Sequence, residues 1–191
     1  MKSLKGTKTE KLLLTAFAGE SQARNRYTYF ASQARKEGFE QIASIFEATA
    51  DNEKEHAKIF FKFLEGGLVE INAKFPAGII GTTEENLKAA ADGEKEEWSF
   101  IYSEAAKVAK SEGFEEVATA FENVAKVERE HEVRYRKLLE NIERDEVFEK
   151  NHKTKWVCRN CGFVHEGNEA PDSCPACHHP KKFFEVKAEN Y

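Results

Sequence analysis

The chain repeats itself once, and that constrains its fold more than any other feature. Residues 37–56, EGFEQIASIFEATADNEKEH, match 112–131, EGFEEVATAFENVAKVEREH, at an offset of 75, with 11 of 20 positions identical. Upstream, Tyr27 pairs with Tyr102 at the same offset, whereas Gly19-Glu20-Ser21 pairs with Gly93-Glu94-Lys95 at 74. A repeat of this length implies two copies of one supersecondary unit, each needing the other to bury its apolar face.

Each copy reads as two helices. Over 9–36 the apolar residues Leu12, Leu13, Ala16, Phe17, Ala23, Tyr27, Phe30 and Ala34 recur at a period near 3.6. Gly38 suits the left-handed position that closes a helix. A second stripe follows at Phe39, Ile42, Ala43, Phe46, Ala50, Ala57, Phe60, Phe61 and Leu64. Thr83, with Asn86 and Leu87 behind it, marks a third helix start, Gly113 closes that helix, and Phe114 to about Arg144 form a fourth. Between the halves lies EGGLVEINAKFPAGIIGTTEE, too long for a tight turn. Two helical hairpins joined by one long crossover predict an all-α four-helix bundle of the ferritin-like kind. An α-solenoid would need more repeats than two.

The stripes then show which charges point inward. Glu53 lies three residues after Ala50 and seven after Phe46, and His56 stands one turn further on the same face. Glu128 and His131 hold the same places relative to Phe121 and Ala125. Glu20 follows Phe17 by three; on the third helix Glu94 precedes Glu97 by three and Ile101 by seven. Burying an unpaired carboxylate costs several kcal/mol, and no Lys or Arg shares these stripes. A pair of divalent ions offsets most of the charge of five carboxylates, and oxygen donors with two imidazoles suit iron or manganese better than zinc. One Glu on each of two helices plus Glu-x-x-His on each of the other two is the pattern of di-iron carboxylate bundles. A single Glu-x-x-His is usually solvated surface; it is the register between two copies that gives weight to these. Glu55 and Glu130, though duplicated, point about 100° away from the stripe. Tyr27 and Tyr102 line the core within reach of the site.

All four cysteines fall in the last 34 residues, as Cys158-x-x-Cys161 and Cys174-x-x-Cys177 with twelve residues between the pairs. This is a tetrahedral metal pattern, shared by structural zinc ribbons and FeS4 centres, and Gly162 fits the tight turn after a knuckle. Trp156, Phe163, Phe183 and Phe184 would form its apolar shell, with short β-hairpins. His165, His178 and His179 are expected in exposed loops. The predicted domains are 1–146 and 147–191, with 147–153 as a polar linker.

Composition narrows the function. The net charge is −5 with both signs interspersed, which argues against a nucleic-acid face. No stretch is long and apolar enough to span a membrane, and the N-terminus lacks a small-residue cleavage site, so a cytoplasmic protein is expected.

The residues that carry the argument, Glu20, EKEH at 53–56, EKEEW at 94–98, EREH at 128–131 and the terminal Cys quartet, resemble the rubrerythrin family over essentially the whole chain. The resemblance implies a non-haem di-iron peroxidase that reduces hydrogen peroxide to water, in oxidative-stress protection. It implies three Fe per chain: a di-iron site held by Glu20, Glu53, His56, Glu94, Glu97, Glu128 and His131, and one FeS4 iron on Cys158, Cys161, Cys174 and Cys177. It implies also a homodimer and a reduced electron donor such as rubredoxin or an NADH-linked reductase. Glu97, His56, Tyr27 and Tyr102 are the expected catalytic residues. Glu97 has no carboxylate counterpart in the first half, where Gln22 or Ala23 aligns with it. The expectation is therefore that Glu97 and His56 exchange on one iron with oxidation state. One departure is His178, where a rubredoxin's second knuckle usually carries glycine. A ferroxidase or oxygen reductase at the same site is the second reading, and a non-catalytic bundle with a zinc ribbon the third.

Overall fold

The computed structural model describes residues 2–190. Its bundle comprises α1 (Lys8–Glu37), α2 (Glu40–Phe61), a third helix in three pieces, and α5 (Glu115–Glu143). The third helix runs as α3 (Thr83–Glu96), a π turn (Glu97–Ile101) and α4 (Tyr102–Ser111). Residues 64–82 cross over without regular secondary structure.

The duplicated residues account for the joints. Gly38 and Gly113 both take positive φ, 86° and 80°. The following Phe39 and Phe114 donate their N–H groups back to Ala34 and Ala109, a Schellman-like closure that needs a residue free of Cβ strain. Arg35 pairs with Glu47 and Lys110 with Glu122, each bridging one hairpin. Glu112 accepts from the backbone N–H of Thr9 at 2.9 Å, and Glu37 accepts from that of Thr83 at 2.8 Å. Each hairpin thus ends in a carboxylate that caps the first turn of the other hairpin, where the helix dipole favours negative charge.

Two apolar clusters fill the bundle. One gathers Tyr27, Phe30, Ile42, Phe46, Tyr135 and their neighbours; the other gathers Leu13, Phe60, Tyr102, Phe114, Phe121 and theirs. Between them lies a layer of buried carboxylates and imidazoles.

The third helix starts at Thr83, as the sequence predicts, behind an N-cap on Thr82 whose hydroxyl accepts from Glu85 N–H while the Glu85 carboxylate accepts from Thr82 N–H. Two expectations shift. Phe61 and Ile101 are exposed rather than inward. For Ile101 the cause is the π turn, which rotates the helix so that Tyr102 takes the buried place instead.

The C-terminal region forms a three-stranded antiparallel sheet in the order β2-β1-β3, with β1 (Glu149–Cys158) central, β2 (Val164–Glu169) and β3 (Phe184–Val186). The polar segment read as a linker enters this sheet: β1 begins at Glu149 and its register with β2 shifts between Glu149 and Thr154. Trp156 and Phe184 are buried with Cys158 and Cys174, and Phe163 and Phe183 pack at the edge. The sheet rests on the start of α2 through Arg159 to Ser44 (2.6 Å), Lys182 to Glu40 (3.0 Å) and a stacked Phe39–Phe148 pair.

Candidate metal centres

Each helix of the bundle sends one carboxylate into the acid layer, and α2 and α5 add a histidine one turn on. The donors converge as two quartets, Glu20, Glu53, His56, Glu128 and Glu53, Glu94, Glu128, His131, all eight places buried. Glu53 and Glu128 belong to both, so the quartets share two carboxylates.

The geometry is close to twofold. His56 Nδ1 lies 2.8 Å from Glu128 and 2.9 Å from Glu53; His131 Nδ1 lies 2.8 Å from Glu128 and 3.3 Å from Glu53. Beyond these, His56 reaches Glu20 at 3.9 Å, and His131 reaches Glu94 at 3.7 Å. The two rings stack with centroids 6.0 Å apart. Tyr102 donates to Glu20 Oε1 at 2.5 Å and Tyr27 to Glu94 Oε1 at 2.6 Å, so each terminal carboxylate keeps one oxygen for a phenol and turns the other inward.

Those inward atoms test whether metal fits. Glu20 Oε2, Glu53 Oε1, Glu94 Oε2, both oxygens of Glu128 and His131 Nδ1 are buried without a hydrogen bond. A folded protein rarely abandons so many buried polar atoms at one place. They approach one another without hydrogen-bond geometry, as atoms aimed at a shared cation do.

The electrostatics agree. Burial, reinforced by the charges of Glu128, Glu53 and Glu97, pushes Glu20 well above the usual carboxylate range. Burial, with Glu53 and Glu128, raises Glu94 to about 8. Burial opposes charge on the histidines, but Glu128 and Glu53 raise His56 to about 9, and with Glu94 they raise His131 to about 12. Protons, in other words, take the place of cations wherever positive charge is lacking.

Glu97 stands apart. It is half-buried, lies outside both quartets, and is pushed well above its usual range by burial and by Glu94, Glu128 and Glu53. It opens the π turn, in which Tyr102 N–H donates to Glu97 C=O, five residues back. The repeat offset changes from 74 at Glu94 to 75 at Tyr102, so the π turn accommodates one inserted residue. That change of offset is the signal in the sequence; helical periodicity, which assumes a uniform rise, passes over it. Glu55 and Glu130 are exposed.

The second centre is the cysteine quartet. Cys158 and Cys177 sulfurs are 3.8 Å apart and those of Cys161 and Cys174 3.6 Å. A disulfide needs about 2.05 Å, whereas bonds of about 2.3 Å to a tetrahedral metal place sulfurs about 3.8 Å apart. Gly162 and His178 donate to the carbonyls of Cys158 and Cys174 in matching turns, both at positive φ, 79° and 58°. His178 therefore preserves the knuckle in a conformation that glycine adopts more cheaply. A backbone N–H from His179 draws the Cys177 thiol down to about 6. Cys158 and Cys174 are buried, Cys161 exposed. His178 is exposed as expected; His165 instead sits half-buried in β2, and His179 packs edge-on against Phe183 at 4.7 Å.

Comparison with known proteins accords with this geometry. The family model described as Rubrerythrin matches residues 11–154, and that for its rubredoxin-like domain matches 156–185. The chain is 60% identical over 190 residues to the rubrerythrin of Porphyromonas gingivalis, covering all of this chain and 95% of that one. It is 56% identical over 191 residues to that of Nitratidesulfovibrio vulgaris, covering both completely. Nigerythrin solved fully reduced, all ferrous, superposes with a TM-score of 0.63 at 30% identity over 97% of this chain and 92% of that one. The donor sets match three irons, two in the bundle and one on the cysteines. With its helical and cysteine regions each matched and its full length shared with such relatives, the chain belongs to the rubrerythrin family.

Proposed function

We propose that the chain is a di-iron peroxidase that reduces hydrogen peroxide to water, taking up two electrons and two protons for each peroxide. The observation that carries the reading is the pair of buried quartets sharing Glu53 and Glu128, a donor set that would hold two cations and that brings one histidine to each quartet. When bound, a ferrous pair supplies the two electrons that cleave the O–O bond, and an FeS4 centre returns electrons singly.

The residues have distinct parts. Glu53 and Glu128, common to both quartets, would serve both irons, Glu20 and Glu94 would each serve one, and His131 would complete the second quartet. Tyr102 and Tyr27 fix the outer oxygens of Glu20 and Glu94 and keep their phenolic protons, since burial and the adjacent carboxylates drive both phenols well above their usual range. At an iron in the first quartet, His56, which stands in that quartet, and Glu97, which stands outside it, would compete for the last place, His56 being favoured by ferrous and Glu97 by ferric iron. Ferric iron is the harder ion and favours the carboxylate. Cys158, Cys161, Cys174 and Cys177 hold the third iron. The division into a bundle of 1–146 and an electron-transfer unit of 147–191 follows from these roles. A cytoplasmic homodimer fed by rubredoxin or an NADH-linked reductase fits them.

Metal analysis with stopped-flow oxidation of the reduced protein tests this. Three irons per chain and faster oxidation by peroxide than by dioxygen are expected. Faster reaction with dioxygen would replace the reading with an oxygen reductase or ferroxidase. Crystals of diferrous and diferric protein test the exchange: identical side chains at the first iron in both would refute it.

A further inference from the structure

Glu97, Tyr27 and Tyr102 share more than the metal layer. They line the deep side of a cavity of about 120 Å³ between α1, the π turn and the crossover, which Lys74, Phe75 and Arg26 line as well. The tyrosines are fully buried, whereas Phe75 is 40% exposed, so the cavity runs from the surface to the residues that flank the metal donors.

Two of its walls are glycines in mid-helix. A Cβ on Gly19 would stand 3.8 Å from Phe75 Cε1, and one on Gly93 3.8 Å from Arg26 Nη2. Neither glycine has a positive φ, so no turn requires them. Glycine inside a helix costs about 0.5–1 kcal/mol relative to alanine. The cost is borne twice, at repeat-related positions immediately before Glu20 and Glu94. What the two glycines have in common is that both line this cavity, where any side chain would take up part of its volume.

We propose that this cavity is the entry chamber for the oxidant, roofed by Phe75, and that its size restricts the reaction to hydrogen peroxide against organic hydroperoxides. The proposal rests on the peroxidase reading. A molecule of two oxygens occupies about twice the roughly 30 Å³ of a water, within the cavity's 120 Å³; a tertiary alkyl hydroperoxide carries four further carbons into the same space. Removing the Phe75 ring opens the roof, while a branched side chain at Gly19 fills the chamber.

The test uses the iron-loaded full chain as wild type, Phe75→Ala and Gly19→Leu, each checked for helical content and iron. Three rates are measured: oxidation of reduced protein by hydrogen peroxide, its oxidation by tert-butyl hydroperoxide, and association of azide with the ferric protein. Wild type should favour hydrogen peroxide by at least about tenfold, the low end for a misfit of one methylene. Phe75→Ala should shrink that ratio severalfold, and Gly19→Leu should slow azide association by about tenfold on the same scale. Should Gly19→Leu fail to hold iron, Gly19→Ala gives the same reading at smaller amplitude. An unchanged ratio in Phe75→Ala, or unchanged azide association in the Gly19 variant, overturns the chamber. If wild type is not oxidised by peroxide at all, the peroxidase reading fails, and azide association alone decides the chamber.

Discussion

Glu53 and Glu55 are two residues apart, both glutamates and both duplicated, yet only Glu53 is buried in the metal layer. Glu53→Gln should therefore lose both bundle irons, because its carboxylate belongs to both quartets, whereas Glu55→Gln should keep them; iron content by mass spectrometry decides. The raised acids and bases make a second prediction, with its sign. In metal-free protein Glu94 keeps its proton to about 8, against 4.5 when unperturbed, and His56 keeps its proton to about 9, against 6.5. Between these limits the unfolded chain releases protons that the folded chain retains, so stability falls as pH rises from about 4.5 to 9. Iron displaces those protons, so the loaded protein should gain stability as pH rises to about 6.5, where the unfolded histidines lose theirs, and stay level above that. Thermal midpoints taken at several pH values should fall with pH in the metal-free form and not in the loaded form; parallel curves would contradict the assignment. At His178, exposed with φ of 58°, His178→Gly should stabilise the small domain by about 0.5–1 kcal/mol through relief of left-handed strain. Its unfolding midpoint in denaturant is the measurement.

At the scale of elements, the third helix differs from the first by its π turn. Glu20 to Tyr27 spans seven residues and Glu94 to Tyr102 spans eight. Deleting the exposed Ser99 would restore the shorter spacing and a continuous α-helix. The variant should retain its helical content and the Tyr102 bond to Glu20 but lose the proposed exchange of His56 for Glu97; crystals of the oxidised variant with His56 still in the quartet would bear this out. Much of the architecture was legible before any coordinates. The repeat implied two hairpins, and the Phe46, Ala50, Glu53, His56 stripe placed the inward donors, because helical faces follow directly from spacing. The π turn was not legible from that spacing, since one inserted residue alters hydrogen bonding without altering composition, and Ile101 was placed inward as a result. At 149–153 the polar composition of a loop belongs to the start of β1, which pairs at Glu149 and bulges before Thr154.

At the scale of the whole molecule, the cysteine centre lies beside the start of α2, where Arg159, next to Cys158, meets Ser44. From Ser44 to Glu53 and His56 is nine to twelve residues, or roughly 14–18 Å along the helix. A second subunit that brings its cysteine centre closer to the bundle irons would carry electrons faster than this path. Mixed dimers, one subunit without its cysteines and the other without its bundle ligands, should then recover turnover, and dead mixtures would exclude transfer between subunits.

The reciprocal bonds of Glu37 to Thr83 and Glu112 to Thr9 carry one more consequence. They sit at opposite ends of a two-part assembly and act as paired latches. Sliding one hairpin past the other by a single helical turn, about 5.4 Å, would unfasten both at once and pull Glu20 and Glu94 out of step with Glu53 and Glu128. Alignment of the metal layer is thus enforced from its far ends, by residues that touch no metal.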